Sequence, residues 1–391
     1  MAALDDLEIS PGERVLVRAD LNVPLDAGAI TDDLRIRAVL PTVNELLDRD
    51  AAVILMSHLG RPGGEVVAEL SLAPVAEHLS GLLGRPVAQL PGITGDKVEQ
   101  MCSQLEAGQV ALLENLRFDK RETGNDAGFA AEVAALADAY VNDAFGSSHR
   151  EHASVDAVPR LLPHAPGLLL EAEISALGRL LDDPPRPFVG ILGGAKVSDK
   201  LGAIDALLER VDKLLIGGAM MFTFSKAQGG SVGASLVEDD RIPDVETALG
   251  RAAEIGKEIV LPSDTVVAQE ISSDAQTRVV SPGDIDDGWL GLDIGPETAK
   301  TFAQEIAAAG SALWNGPMGV FETPPFDAGT RAVAEAFAAA PGFTVAGGGD
   351  SAAALRQMGL AGSIDHLSTG GGASLEYIER GDLPGLAALR T

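Results

Sequence analysis

The chain has 391 residues, 46% of them hydrophobic, and its 58 acidic against 29 basic residues give a formal net charge of -29. That length holds two domains, and so acidic a surface repels nucleic acid and anionic membranes. No apolar run approaches the roughly 20 residues that span a bilayer, and the single cysteine, Cys102, excludes an intramolecular disulfide and fits a reducing cytoplasm.

In chain order the pattern is strand, loop, helix, repeated. The acidic start, Met1 to Asp6, reads as neither a signal nor a transit peptide. Arg14 to Ala19 is a strand, followed by the loop Asp20-Leu21-Asn22-Val23-Pro24 and an amphipathic helix over Leu34–Leu47. Ala51 to Ser57 is a second strand, leading into His58-Leu59-Gly60-Arg61-Pro62. Helical patterns at about 71–83 and 96–105 precede a strand over Gln109–Leu113, which runs into Glu114-Asn115-Leu116-Arg117-Phe118. A helix near 127–137 leads to a short strand over Ala139–Asn142 and then to Ser147-Ser148-His149-Arg150.

Such alternation implies βαβ units and a mostly parallel sheet, with ligands bound outside the carboxyl ends of its strands. Arg61, Arg117 and Arg150 each follow a strand end, and Arg35 opens the helix after the first strand. Asp20, Asn22 and His58 lie at the same ends. Four arginines on one edge of an acidic protein suit a compact, multiply anionic ligand, because guanidinium forks match phosphate and carboxylate oxygens. Taken singly, each arginine reads equally well as a solvated surface residue, and His58 as a structural one. His149 and His152 have no third ligand at metal spacing.

A helical pattern over Leu168–Leu181 ends at Asp182-Asp183-Pro184-Pro185, where the prolines mark a boundary. The alternation then restarts, with strands at about 187–192, 212–216, 258–261, 311–314, 343–346 and 364–368. Helices are expected at 198–209, 241–255, 296–308, 327–339 and 350–358, and residues 264–293 read as short strands and turns. The strand ends here are rich in glycine rather than arginine: Gly193-Gly194, Gly217-Gly218, Asn315-Gly316-Pro317, Gly347-Gly348-Gly349 and Gly370-Gly371-Gly372. Backbone N–H groups at such ends approach phosphates closely, which makes this a nucleotide edge.

Lys196 and Lys200, four residues apart after Gly193-Gly194, are expected on one face of a helix start, where both reach a single polyphosphate. The plainer reading is a βα turn with two solvated lysines. The segment is not a Walker loop, since Ala195 and Val197 flank Lys196. Gly347 to Ala352 matches the G-x-G-x-x-A dinucleotide fingerprint, but Asp350 inside it would repel a bare pyrophosphate. Asp350 makes better sense as a Mg²⁺ ligand or as a helix N-cap.

Arg18 to Pro24, Ser57 to Pro62, Glu114 to Phe118, Leu192 to Lys200, Trp314 to Glu322, Gly347 to Ser351 and Ser368 to Ser374 resemble, in order, the motifs of the phosphoglycerate kinase family. The match runs from about residue 14 to the end without a large insertion. The resemblance implies an α/β fold of two doubly wound parallel-sheet, Rossmann-like domains joined by an interdomain helix and hinge. Residues 1–167 would form the phosphoglycerate-binding domain, 168–183 the linking helix and 184–383 the nucleotide-binding domain. The tail 384–391 would pack back on the first domain.

It implies a monomeric, cytoplasmic, hinge-bending enzyme of glycolysis. Such an enzyme transfers phosphate reversibly between 1,3-bisphosphoglycerate and MgADP, giving 3-phosphoglycerate and MgATP. By matching motif, Asp20, Asn22, Arg35, His58, Leu59, Gly60, Arg61, Arg117 and Arg150 would bind the phosphoglycerate. Lys196 and Lys200, with Arg35, would serve the group in flight. Gly194, Gly217, Gly218, Gly291 and Leu292 would line the nucleotide site, and Asn315 would lie near the phosphates. Glu322 would hold the ribose, with Gly347, Gly348, Gly349, Asp350 and Ser351 at the phosphates and Mg²⁺ on Asp350. Leu21, Ala219 and Ser351 stand where phenylalanine, glycine and threonine are usual. A nicotinamide-dependent dehydrogenase leaves the arginine edge and both lysines unexplained. A catalytically inactive nucleotide-binding relative should lack at least one of Lys196, Asp350 or Arg35, and all three are present.

Overall fold

A computed structural model describes residues 3–391. The chain divides into two units, Met1–Ser175 with Asp382–Thr391, and Ala176–Gly381.

The first unit is built on six parallel strands: β1 (Arg14–Ala19), β2 (Ala52–Met56), β3 (Val87–Gln89), β4 (Val110–Leu112), β5 (Ala139–Asp143) and β6 (His164–Pro166). Their order across the sheet is β3-β4-β2-β1-β5-β6, with Val15 of β1 beside Val53 on one flank and Ala139 on the other. β2 and β5 are buried throughout, which is why β2 reads as an unbroken apolar run and β5 begins as one, rather than as alternation. Helices α1 (Leu34–Asp48), α2 (Ala73–Leu83), α3 (Asp96–Ser103), α4 (Lys120–Thr123) and α5 (Ala127–Ala134) connect them. On α1, Ile36, Val39, Val43, Leu46 and Leu47 form the buried stripe and pack into the same core as Val17 and Leu55. The edge strands β3 and β6 escape a sequence reading. Each has three residues, too few for a period, and Pro166 is tolerated in β6 because an edge strand can spare an N–H.

Helix α6 (Leu168–Asp182) carries the chain onward, and the division between the units falls inside it. The second unit has strands β7 (Phe188–Leu192), β8 (Lys213–Ile216), β9 (Glu258–Val260), β10 (Thr265–Ala268), β11 (Arg278–Val280), β12 (Leu290–Ile294), β13 (Ser311–Asn315), β14 (Phe343–Gly347) and β15 (His366–Leu367). Six of them form a parallel sheet in the order β9-β8-β7-β13-β14-β15. The others form a small antiparallel sheet, β11-β10-β12, where short strands and turns were expected. Around them run α7 (Leu201–Leu208), α8 (Met221–Ala227), α9 (Ile242–Glu254), α10 (Pro296–Ala307), α11 (Ala328–Ala338), α12 (Gly349–Gln357) and α13 (Gly372–Arg380). The last helix, α14 (Pro384–Ala388), belongs to the first unit, where Gly385 N–H donates to the Ser148 carbonyl at 2.9 Å.

One expectation is corrected. The helix after β7 starts at Leu201, so Lys196 to Lys200 form a turn rather than one face of a helix. Two contacts hold the turn: buried Val197 anchors it, and Glu238 accepts from Ser198 N–H at 2.9 Å and from its hydroxyl at 2.6 Å. Those bonds satisfy the segment outside a helical ladder.

Candidate active site

In the first unit the strand ends assemble a cationic patch. Beyond β1, Asp20 takes two hydrogen bonds from Arg35 Nη1, at 3.2 and 3.3 Å, and the same nitrogen donates to the Asn22 carbonyl at 3.1 Å. Beyond β2, the chain turns at Gly60, whose φ of +62° favours glycine. Its N–H donates to Asn22 Oδ1 at 2.9 Å and its carbonyl accepts from Arg117 Nη1 at 2.7 Å. Buried Asn115 staples the loops after β2 and β4, accepting from Leu59 and Arg117 N–H and donating to the Leu59 carbonyl. Leu59 itself is buried, so it offers backbone rather than side chain.

Electrostatics shows that these cations share one space. Burial first, then repulsion from Arg150 and Arg18, pushes the Arg117 guanidinium down to about 10, and Arg61 adds to the effect. Burial, then Arg18, Arg117, Arg35 and His152, drive His58 well below its ordinary value, so it is neutral at pH 7. His152 falls to about 4 for the same kinds of reason, burial leading. The four arginines read from the sequence therefore converge, and a fifth, Arg18, joins them. Arg18 is 1% exposed within β1, and the signal for it was a charge inside a run that otherwise reads as buried strand.

In the second unit the loops after β7, β8 and β13 interlock. Gly193 N–H donates to the Asn315 carbonyl, Gly194 to Pro317 and Gly218 to Met318, at 2.9 to 3.1 Å. A Cβ on Gly193 would lie 2.2 Å from the Pro317 oxygen, and one on Gly218 2.3 Å from Gly194 N. These glycines serve loop packing, and their N–H groups are spent on protein acceptors, as are those of Gly217 on Leu192 and Gly316 on Ser351 Oγ. Of the glycine-rich ends read as a nucleotide edge, those after β7 and β8 thus have these N–H groups already bonded within the protein. The starts of α12 and α13 differ, because the first N–H groups of a helix have no partner within it.

A cavity of about 300 Å³ opens on those two helix starts, lined by Lys196, Lys200, Asn315, Gly348, Gly349, Asp350, Ser351, Gly371 and Gly372 among others. The Lys200 ammonium, largely buried, is pushed down to about 8 by burial, against the pull of Asp199 and Asp350. Ser351 is fully buried and its hydroxyl accepts from Gly316 N–H at 2.6 Å. A second cavity of about 350 Å³ adjoins it through Gly194, Ala195 and Asp350. Its walls include Gly218, Ala219, Phe222, Gly291, Leu292, Met318, Val320 and Glu322, a largely apolar slot. Asp293 also lines it and was missed from sequence: burial pushes its carboxyl up to about 8 although it accepts from Gly329 and Ile294 N–H.

The comparisons with known proteins agree with this geometry. A family model described as phosphoglycerate kinase matches residues 4–381. The chain belongs to the phosphoglycerate kinase family. The phosphoglycerate kinase of Moorella thermoacetica is 55% identical over 386 residues, covering 99% of this chain and 98% of that protein. That of Thermomicrobium roseum is 55% identical over 389 residues, covering 100% and 99%. Among solved structures, phosphoglycerate kinase from Coxiella burnetii superposes with a TM-score of 0.89 at 39% identity, covering 100% of this chain and 98% of that one. The enzyme from Pyrococcus horikoshii OT3 gives 0.88 at 32% identity with the same coverage. The chain is therefore a kinase of glycolysis, which moves a phosphoryl group reversibly between 1,3-bisphosphoglycerate and ADP to give 3-phosphoglycerate and ATP.

Proposed function

We propose that the cationic patch of the first unit binds the phosphoglycerate and that the paired cavities of the second unit bind the nucleotide. The observation that carries this reading is the division of labour between the two strand-end sets. One gathers five arginines around a neutral histidine, and the other joins an apolar slot to a glycine-lined cavity holding two lysines and two carboxylates, Asp199 and Asp350.

Asp20, Asn22, Arg35, His58, Leu59, Gly60, Arg61, Arg117 and Arg150 hold the carboxylate and phosphate of the three-carbon ligand, the arginines by fork-like pairing. Adenine enters the slot beside Gly217, Gly218, Gly291 and Leu292, and Glu322 accepts from the ribose hydroxyls. Gly194, Asn315, the N–H groups of Gly347 to Gly349 and Ser351 surround the phosphates. Asp199 and Asp350 are the carboxylates of the phosphate cavity, and among the described residues no cluster of three or more metal-ligating side chains exists. That donor set fits Mg²⁺ carried in on nucleotide phosphates, which needs only one or two protein carboxylates. When bound, Mg²⁺ supplies charge neutralisation at the phosphate oxygens.

The accepting carboxylate is already ionised near pH 7, so no base need remove a proton. What remains for the protein is alignment and stabilisation of charge on the group in flight, assigned here to Lys196, Lys200 and Arg35. The two ligands must meet, and we assign that step to closure of the units about the region of α6. Small-angle scattering that stays unchanged with both ligands bound would count against closure. A monomer in a reducing cytoplasm is the accompanying reading, supported by a lone, buried Cys102.

The test is a coupled assay with 3-phosphoglycerate and MgATP, trapping 1,3-bisphosphoglycerate with its dehydrogenase at low and high KCl. Lys196→Ala is expected to lower kcat on the order of 10²-fold, as loss of one preorganised donor does. A variant with normal kcat and a raised KM would remove Lys196 from the transferring group.

A further inference from the structure

Behind the cationic patch lies a buried polar chain that substrate binding does not explain. The Arg18 side chain, 1% exposed, points its Nη2 at His58 Nδ1, 3.1 Å away, and its Nε donates to Ser154 Oγ at 2.9 Å. The Ser154 hydroxyl donates in turn to Glu122 Oε1 at 2.6 Å, and Ser154 N–H donates to Glu122 Oε2 at 2.9 Å. Glu122 and Ser154 are both wholly buried. The Tyr140 hydroxyl closes the far side by donating to the Ser154 carbonyl at 2.9 Å. Five segments meet here: β1, the loop after β2, α4, β5 and the stretch after Arg150.

A guanidinium has five donors and no acceptor. The imidazole nitrogen facing it must therefore accept, which forbids a proton on Nδ1 and leaves the proton on Nε2. The charged groups that face His58 are Arg18, Arg117, Arg35 and His152. Three are permanent cations and the fourth is itself held neutral, so none favours a charged imidazolium. The Ser154 hydroxyl has one proton. Spending it on Glu122 leaves its oxygen to accept from Arg18, which fixes the direction of the whole chain.

We propose that Glu122 and Ser154, acting through the Arg18 guanidinium, hold His58 as its neutral Nε2–H tautomer, so that His58 meets the phosphoglycerate as a hydrogen-bond donor and never as a base or a cation. Glu122 and Ser154 are positioning residues in this scheme. The inference rests on the assignment of His58 to the phosphoglycerate site, and the experiment separates the two.

Long-range ¹H–¹⁵N spectra of the full chain carrying ¹⁵N-histidine report which ring nitrogen of His58 holds the proton. The expected result is a single neutral Nε2–H species at pH 7, the ring protonating only well below an ordinary histidine. A protonated ring at pH 7, or a proton on Nδ1, overturns the proposal, and this reading needs no variant to fold. In Ser154→Ala the expected result is mixed His58 tautomers and a KM for 3-phosphoglycerate raised about tenfold at little changed kcat, the size of one lost hydrogen bond to a charged group. Ser154→Thr, which keeps the hydroxyl, restores both. A Ser154→Ala spectrum identical to wild type overturns the relay. Titration with 3-phosphoglycerate reads the other assignment: no shift at His58 while the Nε2–H tautomer persists would remove His58 from the ligand site and leave the relay standing.

Discussion

The Lys200 ammonium donates to the side-chain oxygen of Asn315, tying the turn after β7 to the end of β13. This bond keeps a largely buried amine pointed into the phosphate cavity without a direct carboxylate partner, and burial sets its pKa at about 8. The amine loses its proton as pH rises through that value, and with it the charge assigned to the nucleotide phosphates. The kcat/KM for ADP is therefore expected to fall above about pH 8, on a limb that reports the free enzyme. Lys200→Arg should carry that limb out of range. A flat wild-type profile from pH 7 to 9.5, a window of about one unit or more either side of the limb, would end the assignment.

Arg35 reaches Asp20 at 3.2 Å with 35% of its side chain exposed. So open an ion pair contributes little to stability, and the arginine's worth lies in its charge toward ligand. Arg35→Met should lower kcat on the order of 10²-fold while shifting Tm by no more than a degree or two, as expected when ΔΔG stays within about 0.5 kcal/mol. A large loss of Tm with normal turnover would make Asp20–Arg35 a structural pair.

Gly218 combines a φ of +66° with a Cβ position 2.3 Å from Gly194 N and 2.5 Å from its carbonyl oxygen. Gly218→Ala must part the loops after β7 and β8, so it should cost roughly 1–3 kcal/mol and weaken nucleotide binding together. At Gly349 nothing lies within 4 Å of the added methyl. Gly349→Ala should stay within about 0.5 kcal/mol of wild type. Urea denaturation and calorimetric titration with ADP separate the two cases.

Asp293 inverts the usual acid dependence. Its carboxyl stands at about 8 in the fold, far above the unfolded value, so between them the native state holds the extra proton. Stability from this group is present below the unfolded value and falls as pH rises, by up to about 1.4 kcal/mol per unit, until the carboxyl ionises. Asp293→Asn cannot ionise, so its stability relative to wild type should rise steadily from about pH 4 to about pH 8 and level off above that. Urea midpoints at pH 6 and pH 9 check this, and parallel curves would mean that Asp293 is ionised throughout.

The sequence by itself determined the βα alternation, because buried parallel strands such as Ala52–Met56 and Phe188–Leu192 are contiguous runs without polar side chains, ending in loop residues. It also placed the arginines and the glycines at different sets of strand ends, since each follows its strand directly in the chain. Tertiary structure alone decided what those residues spend their hydrogen bonds on. Gly193, Gly194 and Gly218 look like phosphate binders in sequence, yet their N–H groups belong to carbonyls more than 20 residues away or on neighbouring loops. Lys196 and Lys200 have helical spacing, but Glu238 draws Ser198 into a turn from 40 positions along the chain. Arg18, Ser154 and Glu122 carry no shared motif, because a buried charge finds its partners through space, and sequence separation does not limit that search.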